Sequence, residues 1–499
     1  MINYVSYSHK VVVYWDLPDN YERGARYEVA LDGKKAAETE RCHFHIENLK
    51  PDSDYSVSIS MIDPEGERFT IGDINVKTDK IKRRIDVTAA PYNALGDGVT
   101  LNTERLQRAI DDCAPGECVY VPAGDYMTGS LFLHSDMELY LEKGAVIHGT
   151  KNVEDYSPKI KSRFEGIEMM AYAALLNVGT LDREAGFTAK NVRITGEGTV
   201  EGGGLDLAKN VIALERVLQA DYIKSLGDKV KECENDMTIP GRPRPRLINV
   251  SCADNVLISG IEIRYGASWN IHMIYSNNVV THNVSITSDG VWNGDGWDPD
   301  SSTNCTIFAS EFFTGDDAVA IKSGKNPEGN VIAKPSEHIR VFDCISHFGH
   351  GLTIGSEMSG GINEIRIWNC DMTNSFYGVE IKGTKKRGGY VKGVHVSYCT
   401  LARVLMHSVG YNDDGIGAPT VPVFSDCTFE ELTLTAKKYG KDEKHEPCEA
   451  IYLEGFDVPG HEIKNVRFKN ITVDGGESLM QTLCMKRCDG VTIENIKVK

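Results

Sequence analysis

The chain has 499 residues, 41 % of them apolar, and carries 54 lysines and arginines against 72 aspartates and glutamates, a formal charge of −18. That balance argues against nucleic acid as a partner, since neutralising phosphates needs a basic face, and no apolar run reaches the ~20 residues of a membrane helix. Thirteen cysteines, an odd number with no CxxC pair, fit neither a disulfide scaffold nor a zinc site, and the lack of a basic-then-apolar stretch at Met1–Lys10 predicts a cytoplasmic protein with reduced thiols.

The first 80 residues read as a small β domain of their own. Lys10-Val-Val-Val-Tyr-Trp15 and Tyr27-Glu-Val-Ala-Leu31 are strands, the second closed by the turn Asp32-Gly33. His43–Leu49 and Tyr55–Met61 are two more. Short alternating strands with turn residues every ~8–12 positions are the pattern of a β-sandwich. Trp15 and the segment Asn48-Leu-Lys-Pro-Asp-Ser-Asp-Tyr55 resemble a fibronectin type III module, which sets domain bounds of 1–80 and 81–499.

Lys80-Ile-Lys-Arg-Arg84 is a solvated junction. Beyond it Leu106 and Ile110 have helical spacing, with Thr103 as the expected cap. After Gly116 no helix alternates regularly with strands, which argues against a βαβ fold. Instead an apolar-x-apolar unit recurs: Asn191-Val-Arg-Ile194, Asn255-Val-Leu-Ile258, Asn278-Val-Val-Thr281, Cys305-Thr-Ile-Phe308, His338-Ile-Arg-Val341, Glu364-Ile-Arg-Ile367 and Gly393-Val-His-Val396, then again from Asn465 and Gly490. From Val256 on, the second residues of successive units are 23, 27, 33, 26 and 29 apart, a near-constant period with variable surplus, as in a solenoid. Cys344, Cys370 and Cys399 each lie five residues past that position in three consecutive units, and are expected as thiols stacked inside the coils. The fold predicted for 81–499 is therefore an all-β, right-handed parallel β-helix, its first coil covered by a helix near 103–113. Residues 206–236 interrupt the period; Leu207–Leu218 has helical spacing and reads as an excursion over one face.

Four successive coils then carry polar residues at strand positions: Asn293-Gly-Asp-Gly-Trp-Asp-Pro-Asp300, Thr314-Gly-Asp-Asp-Ala-Val-Ala-Ile-Lys322, Gly349-His-Gly-Leu-Thr-Ile-Gly355 and Tyr377-Gly-Val-Glu-Ile-Lys-Gly383. Charged groups beside Ile and Val in a buried ladder are costly unless they serve a site. Carboxylates this crowded repel, so one is held protonated near neutral pH while another stays ionised, which is the division of labour in glycoside hydrolysis.

These segments, with Asn93–Gly98, Val119–Gly124, Gly196–Gly202 and Ser268-Trp-Asn-Ile-His272 in order along 85–499, resemble glycoside hydrolase family 28, the polygalacturonase family. The small β module ahead of them resembles the layout of its bacterial exo-acting members. The resemblance implies an inverting, exo-acting hydrolase of galacturonic acid linkages in pectic oligosaccharides, with no cofactor and no metal. It implies Asp316 as the general acid, Asp295 and Asp317 as the pair that positions and deprotonates water, and His350 as the group that keeps the acid protonated. Trp269 and His272 fall among the substrate-binding residues. Inversion asks that Asp316 stand roughly 6.5–9.5 Å from Asp295 or Asp317.

One position departs from the family. Its Arg-Ile-Lys, which meets the substrate carboxylate on the leaving-group side, is Glu380-Ile-Lys382 here. Either Arg387, in the loop Lys385–Gly389, replaces the lost contact, or the leaving sugar is neutral, as in a rhamnogalacturonan galacturonohydrolase, and Glu380 accepts its hydroxyls. Arg242, Arg244 and Arg246, interleaved with prolines ahead of a groove strand, are expected to grip a terminal galacturonate carboxylate and supply the local positive charge that a polyanion needs. Two readings compete. Pectate lyase chemistry on the same fold needs calcium and a basic arginine, and a polysaccharide-binding solenoid without catalysis needs no carboxylate cluster.

Overall fold

The computed structural model describes residues 1–228, 238–410, 415–439, 444–475 and 482–499. The chain divides into two units, Met1–Arg84 and Ile85–Lys499. Seven strands of the first unit form two antiparallel sheets. Ile2–Ser6, Val11–Trp15 and His43–Ile46 make one, and Lys34–Thr39, Arg26–Leu31, Asp54–Ile62 and Arg68–Lys77 the other. Val11 to Trp15 are buried throughout, and the Trp15 ring meets Tyr27 of the other sheet edge-on at 5.1 Å, so the two layers share one apolar core.

The second unit is a parallel β-helix. One of its faces is an eleven-stranded parallel sheet that runs from Leu131–Leu133 through Ile271–Ile274, Trp297–Asp300, Val319–Ile321, Gly351–Ile354 and Gly378–Gly383 to Leu483–Lys486. A second row stacks Asn277–His282, Thr306–Phe308, Ser336–Phe342, Ile362–Trp368 and Tyr390–Ser397. A third, of short strands, includes Ser285–Thr287, Glu311–Phe313 and Ile345–Phe348. Alternation along each strand sends one set of side chains inward, where Val, Ile, Leu and Phe stack coil upon coil.

The recurring unit is legible in the backbone. Asn191, Asn255, Asn278, His338, Glu364, Gly393, Asn465 and Gly490, the first residue of each unit, all have positive φ. Asn and Gly tolerate that left-handed conformation, so they mark the corners where the chain turns into a strand. The fourth unit is corrected by one residue. Asn304, with φ 53°, holds its corner, and the register pairs Val280 with Thr306 and Thr306 with Arg340. Cys305, fully buried, therefore occupies the inward place assigned above to Thr306. The expected thiol column is present: Cys344, Cys370 and Cys399 are buried on successive coils, and the Cys370 amide donates to Cys399 Sγ at 3.4 Å.

The helix Thr103–Asp111 buries Leu106, Ala109 and Ile110. Gln107 closes the free edge of strand Leu131–Leu133, donating to Phe132 O (3.0 Å) and accepting from Phe132 N (2.9 Å). Thr103 is not its cap. Asn102 holds that position with its amide turned to Leu95, and Thr103 Oγ1 instead accepts from the Gly129 amide. The excursion begins as helix Gly204–Leu218 and continues as Ala220–Leu226; its remainder to 236 extends beyond the described residues.

Candidate active site

The outer face of the eleven-stranded sheet carries the polar residues. Trp297, Val319, Ile321, Leu352, Ile354, Val379 and Ile381 are buried in the coil core, so alternation places Asp298, Asp300, Lys322, Thr353, Glu380 and Lys382 on the opposite side. Just ahead of these strands the chain brings together Asp295, Asp316, Asp317, His350 and Tyr377 from four consecutive coils. The backbone fixes them: Gly296 N donates to Asp317 O (2.9 Å), His350 N to Asp316 O (2.9 Å) and Tyr377 N to His350 O (3.0 Å). All five line one cavity of about 520 Å³.

Ionic contacts order the cavity. Asp316 Oδ1 lies 2.7 Å from His350 Nδ1 and Asp317 Oδ1 lies 3.4 Å from it. Thr353 Oγ1 donates to Asp317 at 2.7 Å. Lys322, itself buried, bridges Asp295 (3.2 Å) and Glu357 (3.6 Å) and stands 4.5 Å over the Trp269 ring. Lys382 pairs with Glu380 at 2.9 Å.

The carboxyls are driven apart in proton affinity. Burial works against the charge on Asp317, but Lys382, His350 and Lys322 outweigh it and hold that carboxyl below its ordinary value. Asp295 moves the other way, pushed up by burial with Asp316 and Asp317 adding to the effect against the pull of Lys322. Asp298, fully buried beside Asp295 with neither carboxyl oxygen hydrogen-bonded, is also pushed up. Burial opposes charge on the His350 imidazole too, yet Asp316 and Asp317 raise it to about 10. His350 is therefore a cation at neutral pH.

That finding corrects one expectation. His350 was expected to keep Asp316 protonated, but the proton of this pair rests on the ring. The expected spacing is also narrowed. One carboxyl oxygen each of Asp316 and Asp317 and a His350 nitrogen lie within 4.8 Å of one another, too close for a water between acid and base at roughly 6.5–9.5 Å. Only Asp295 is left to stand at that distance from Asp316. The same three donor atoms are spaced for a divalent cation, but an imidazolium is no ligand.

The basic residues fall into two groups. Arg242 and Arg387 line the cavity. Arg242 pairs with Glu165 at 3.0 Å. Arg387 is braced by Ser356 O (2.8 Å) and Asn326 Oδ1 (2.7 Å), close to Lys382 on the wall. Arg244 and Arg246, expected beside them, are not on this wall. Arg244 is buried and bonded to Gly241 O, Trp292 O and Asn293 Oδ1, and it borders a neighbouring cavity. Arg246 is buried between Phe164 and Trp269, with bonds to Arg244 O, Ser268 Oγ and Arg163 O. No solvent reaches it and no substrate can.

Trp269 lines the cavity as expected. His272 does not: it is fully buried behind the wall, facing Asp300 at 3.4 Å, and burial lowers it to about 4. Glu380 is likewise absent from the lining. It is 2 % exposed and held between Lys382 and His407 (2.7 Å), so it shapes Lys382 rather than meeting a sugar hydroxyl.

Sequence reasoning missed Lys322, Lys325, Ser356, Glu357, Tyr377, Glu165 and Asn293 on the lining, and the buried pair Arg163–Asp300 (2.9 Å) behind it. A lysine closing the apolar run Ala318–Ile321 was a usable signal for Lys322. Glu165 comes from a hairpin, Ile160–Phe164 with Ile167–Ala171, that the repeat does not mark.

Comparison with known proteins adds three findings. The profile of glycosyl hydrolases family 28 matches residues 160–461. An exo-poly-alpha-D-galacturonosidase of Dickeya chrysanthemi is 28 % identical over 432 residues, which cover 77 % of this chain and 71 % of that protein. Among solved structures, the family 28 exopolygalacturonase of Yersinia enterocolitica shares the fold over 100 % of this chain and 97 % of its own, with a TM-score of 0.83 at 23 % identity. The exopolygalacturonase of Thermotoga maritima superposes with a TM-score of 0.69 at 26 % identity, over 84 % of this chain and 92 % of its own.

Proposed function

The chain belongs to glycosyl hydrolases family 28, and on that premise we propose that it hydrolyses galacturonic acid linkages in pectic oligosaccharides, from the chain end, with inversion. The observation that carries the reading is the meeting of Asp295, Asp316 and Asp317 with His350 and Lys322 around one cavity, with unequal proton affinities imposed by their surroundings.

Asp316 is the proton donor, coupled to His350, which holds a proton 2.7 Å away and can replenish it. Asp295 and Asp317 flank the attacking water. Asp317 carries the negative charge that accepts its proton, while Asp295, kept up by burial, orients it. Lys382 and Arg387 meet the carboxylate of the leaving sugar. This supports an acidic leaving group over a neutral one, because Glu380 is already committed to Lys382 and His407 while Arg387 stands on the wall.

The test is chromatography of the products formed from galacturonate oligomers and from rhamnogalacturonan oligomers, side by side. The reading expects galacturonate oligomers to be shortened from one end, with no product absorbing in the ultraviolet and with the first-formed anomer opposite to that of the linkage cut. Asp316→Asn is expected to lower kcat by about 10²–10⁴-fold with the fold intact by circular dichroism. Unsaturated products, or an Asp316→Asn enzyme of wild-type rate, would refute it.

A further inference from the structure

A second cavity, of about 490 Å³, adjoins the first and shares Glu165, Thr238 and Asn293 with it. Its size suits a sugar unit. One wall is the helix Gly204–Leu218, whose Lys209, Ile212, Ala213 and Arg216 fall at i, i+3, i+4 and i+7 and so share a face. Phe164, Arg244 and Trp292 complete the lining, and Trp292 is 53 % exposed.

The helical wall is fixed in place from behind. Glu215, fully buried, takes a hydrogen bond from Tyr172 Oη (2.9 Å) and an ion pair from Lys159 (2.7 Å). Asn210 donates to Lys151 O (2.9 Å), and Lys151 pairs with Asp206 (2.7 Å). These contacts hold the opposite face of the helix steady toward the cavity.

Charge selects the occupant. Glu165 is the one acid of the lining among the described residues, and Arg242 answers it at 3.0 Å. Lys209 and Arg216 have no ion pair among the described residues, so a chain of net charge −18 keeps two uncommitted cations at this spot. An exposed indole and two cations around a cleft extension match a sugar that offers an apolar ring face and a carboxylate.

We propose that this cavity is a second sugar subsite, on the side of Asp295 away from Lys382, that takes an acidic hexose unit of the same oligosaccharide. Trp292 stacks on the ring of that unit, and Lys209 and Arg216 hold its carboxylate. The inference rests on the hydrolase reading above and adds to it that a substrate reaching past the scissile linkage by two acidic sugars on this side is preferred.

The full-length enzyme, Trp292→Ala and Lys209→Ala/Arg216→Ala are compared on galacturonate dimer, trimer and tetramer. The kcat/KM ratio of trimer to dimer is expected to fall about tenfold in each variant, through KM rather than kcat. Arg216→Lys with Lys209 intact is expected to restore most of it. A trimer-to-dimer ratio that stays at the wild-type value in both variants overturns the inference and leaves the hydrolase reading standing. A wild-type enzyme that cleaves no galacturonate oligomer overturns the reading and the inference with it.

Discussion

Asp295 and Asp317 sit side by side on adjacent coils, and their surroundings separate them. Lys382 and His350 reach Asp317, whereas one oxygen of Asp295 has no hydrogen bond at all. The cation that decides much of this is His350, whose ring is raised from 6.5 to about 10. A group raised on folding stabilises the native state while it is protonated there, and the benefit fades once the folded form also loses its proton. The stability advantage of the wild type over His350→Asn, read as a difference in apparent Tm, is therefore expected to be complete below about pH 6.5 and to vanish as pH climbs through about 10. A constant difference from pH 5 to 10 would show that His350 acts through packing alone. Activity of the wild type is expected to decline over the same alkaline range, and that limb is expected to be missing in the variant.

Among the elements, the helix Gly204–Leu218 is held by few groups, of which Glu215 is the most buried. Removing it leaves Lys159 and Tyr172 without their partner, a loss of about 1–3 kcal/mol. Glu215→Ala is expected to speed amide hydrogen exchange in this helix by about tenfold or more, with exchange in strand Trp297–Asp300 unchanged. Equal acceleration in both would mean the helix is not a separately anchored element. This scale also shows what the sequence made readable. The repeat and the carboxylates were legible because period and motif are local: an Asn or Gly corner followed by an inward apolar residue, and aspartates packed into two short segments. The slip at Asn304-Cys305 arose because Cys and Thr both pass for the apolar start of a strand, and only pairing with Val280 and Arg340 separates them. Arg246, His272 and Glu380 were misassigned for a different reason. A residue on the outer face of a strand is open to solvent only if nothing lies over it, and here Phe164, Trp269 and neighbouring side chains do. Such cover comes from residues far away in sequence.

For the molecule as a whole, a charge of −18 opposes a polyanionic substrate at long range. Within the main cavity the acids and bases nearly balance: Glu165, Asp295, Asp316, Asp317 and Glu357 face Arg242, Lys322, Lys325, Lys382, Arg387 and His350. The repulsion therefore belongs to the outer surface, where salt screens it. Raising ionic strength from about 0.01 to 0.15 M, which shortens the screening length from ~30 to ~8 Å, is expected to raise kcat/KM for galacturonate oligomers severalfold. A fall would mean that the cations of the cleft dominate the approach.

The column of Cys344, Cys370 and Cys399 turns the solenoid into its own gauge of breathing. Each sulfur is at most 3 % exposed, whereas Cys448, Cys484 and Cys488 are only half-buried. An alkylating reagent meets the outer three first and the column only when neighbouring coils part. The slow phase of native-state labelling thus times how often the middle of the stack comes open, with no probe added to the chain.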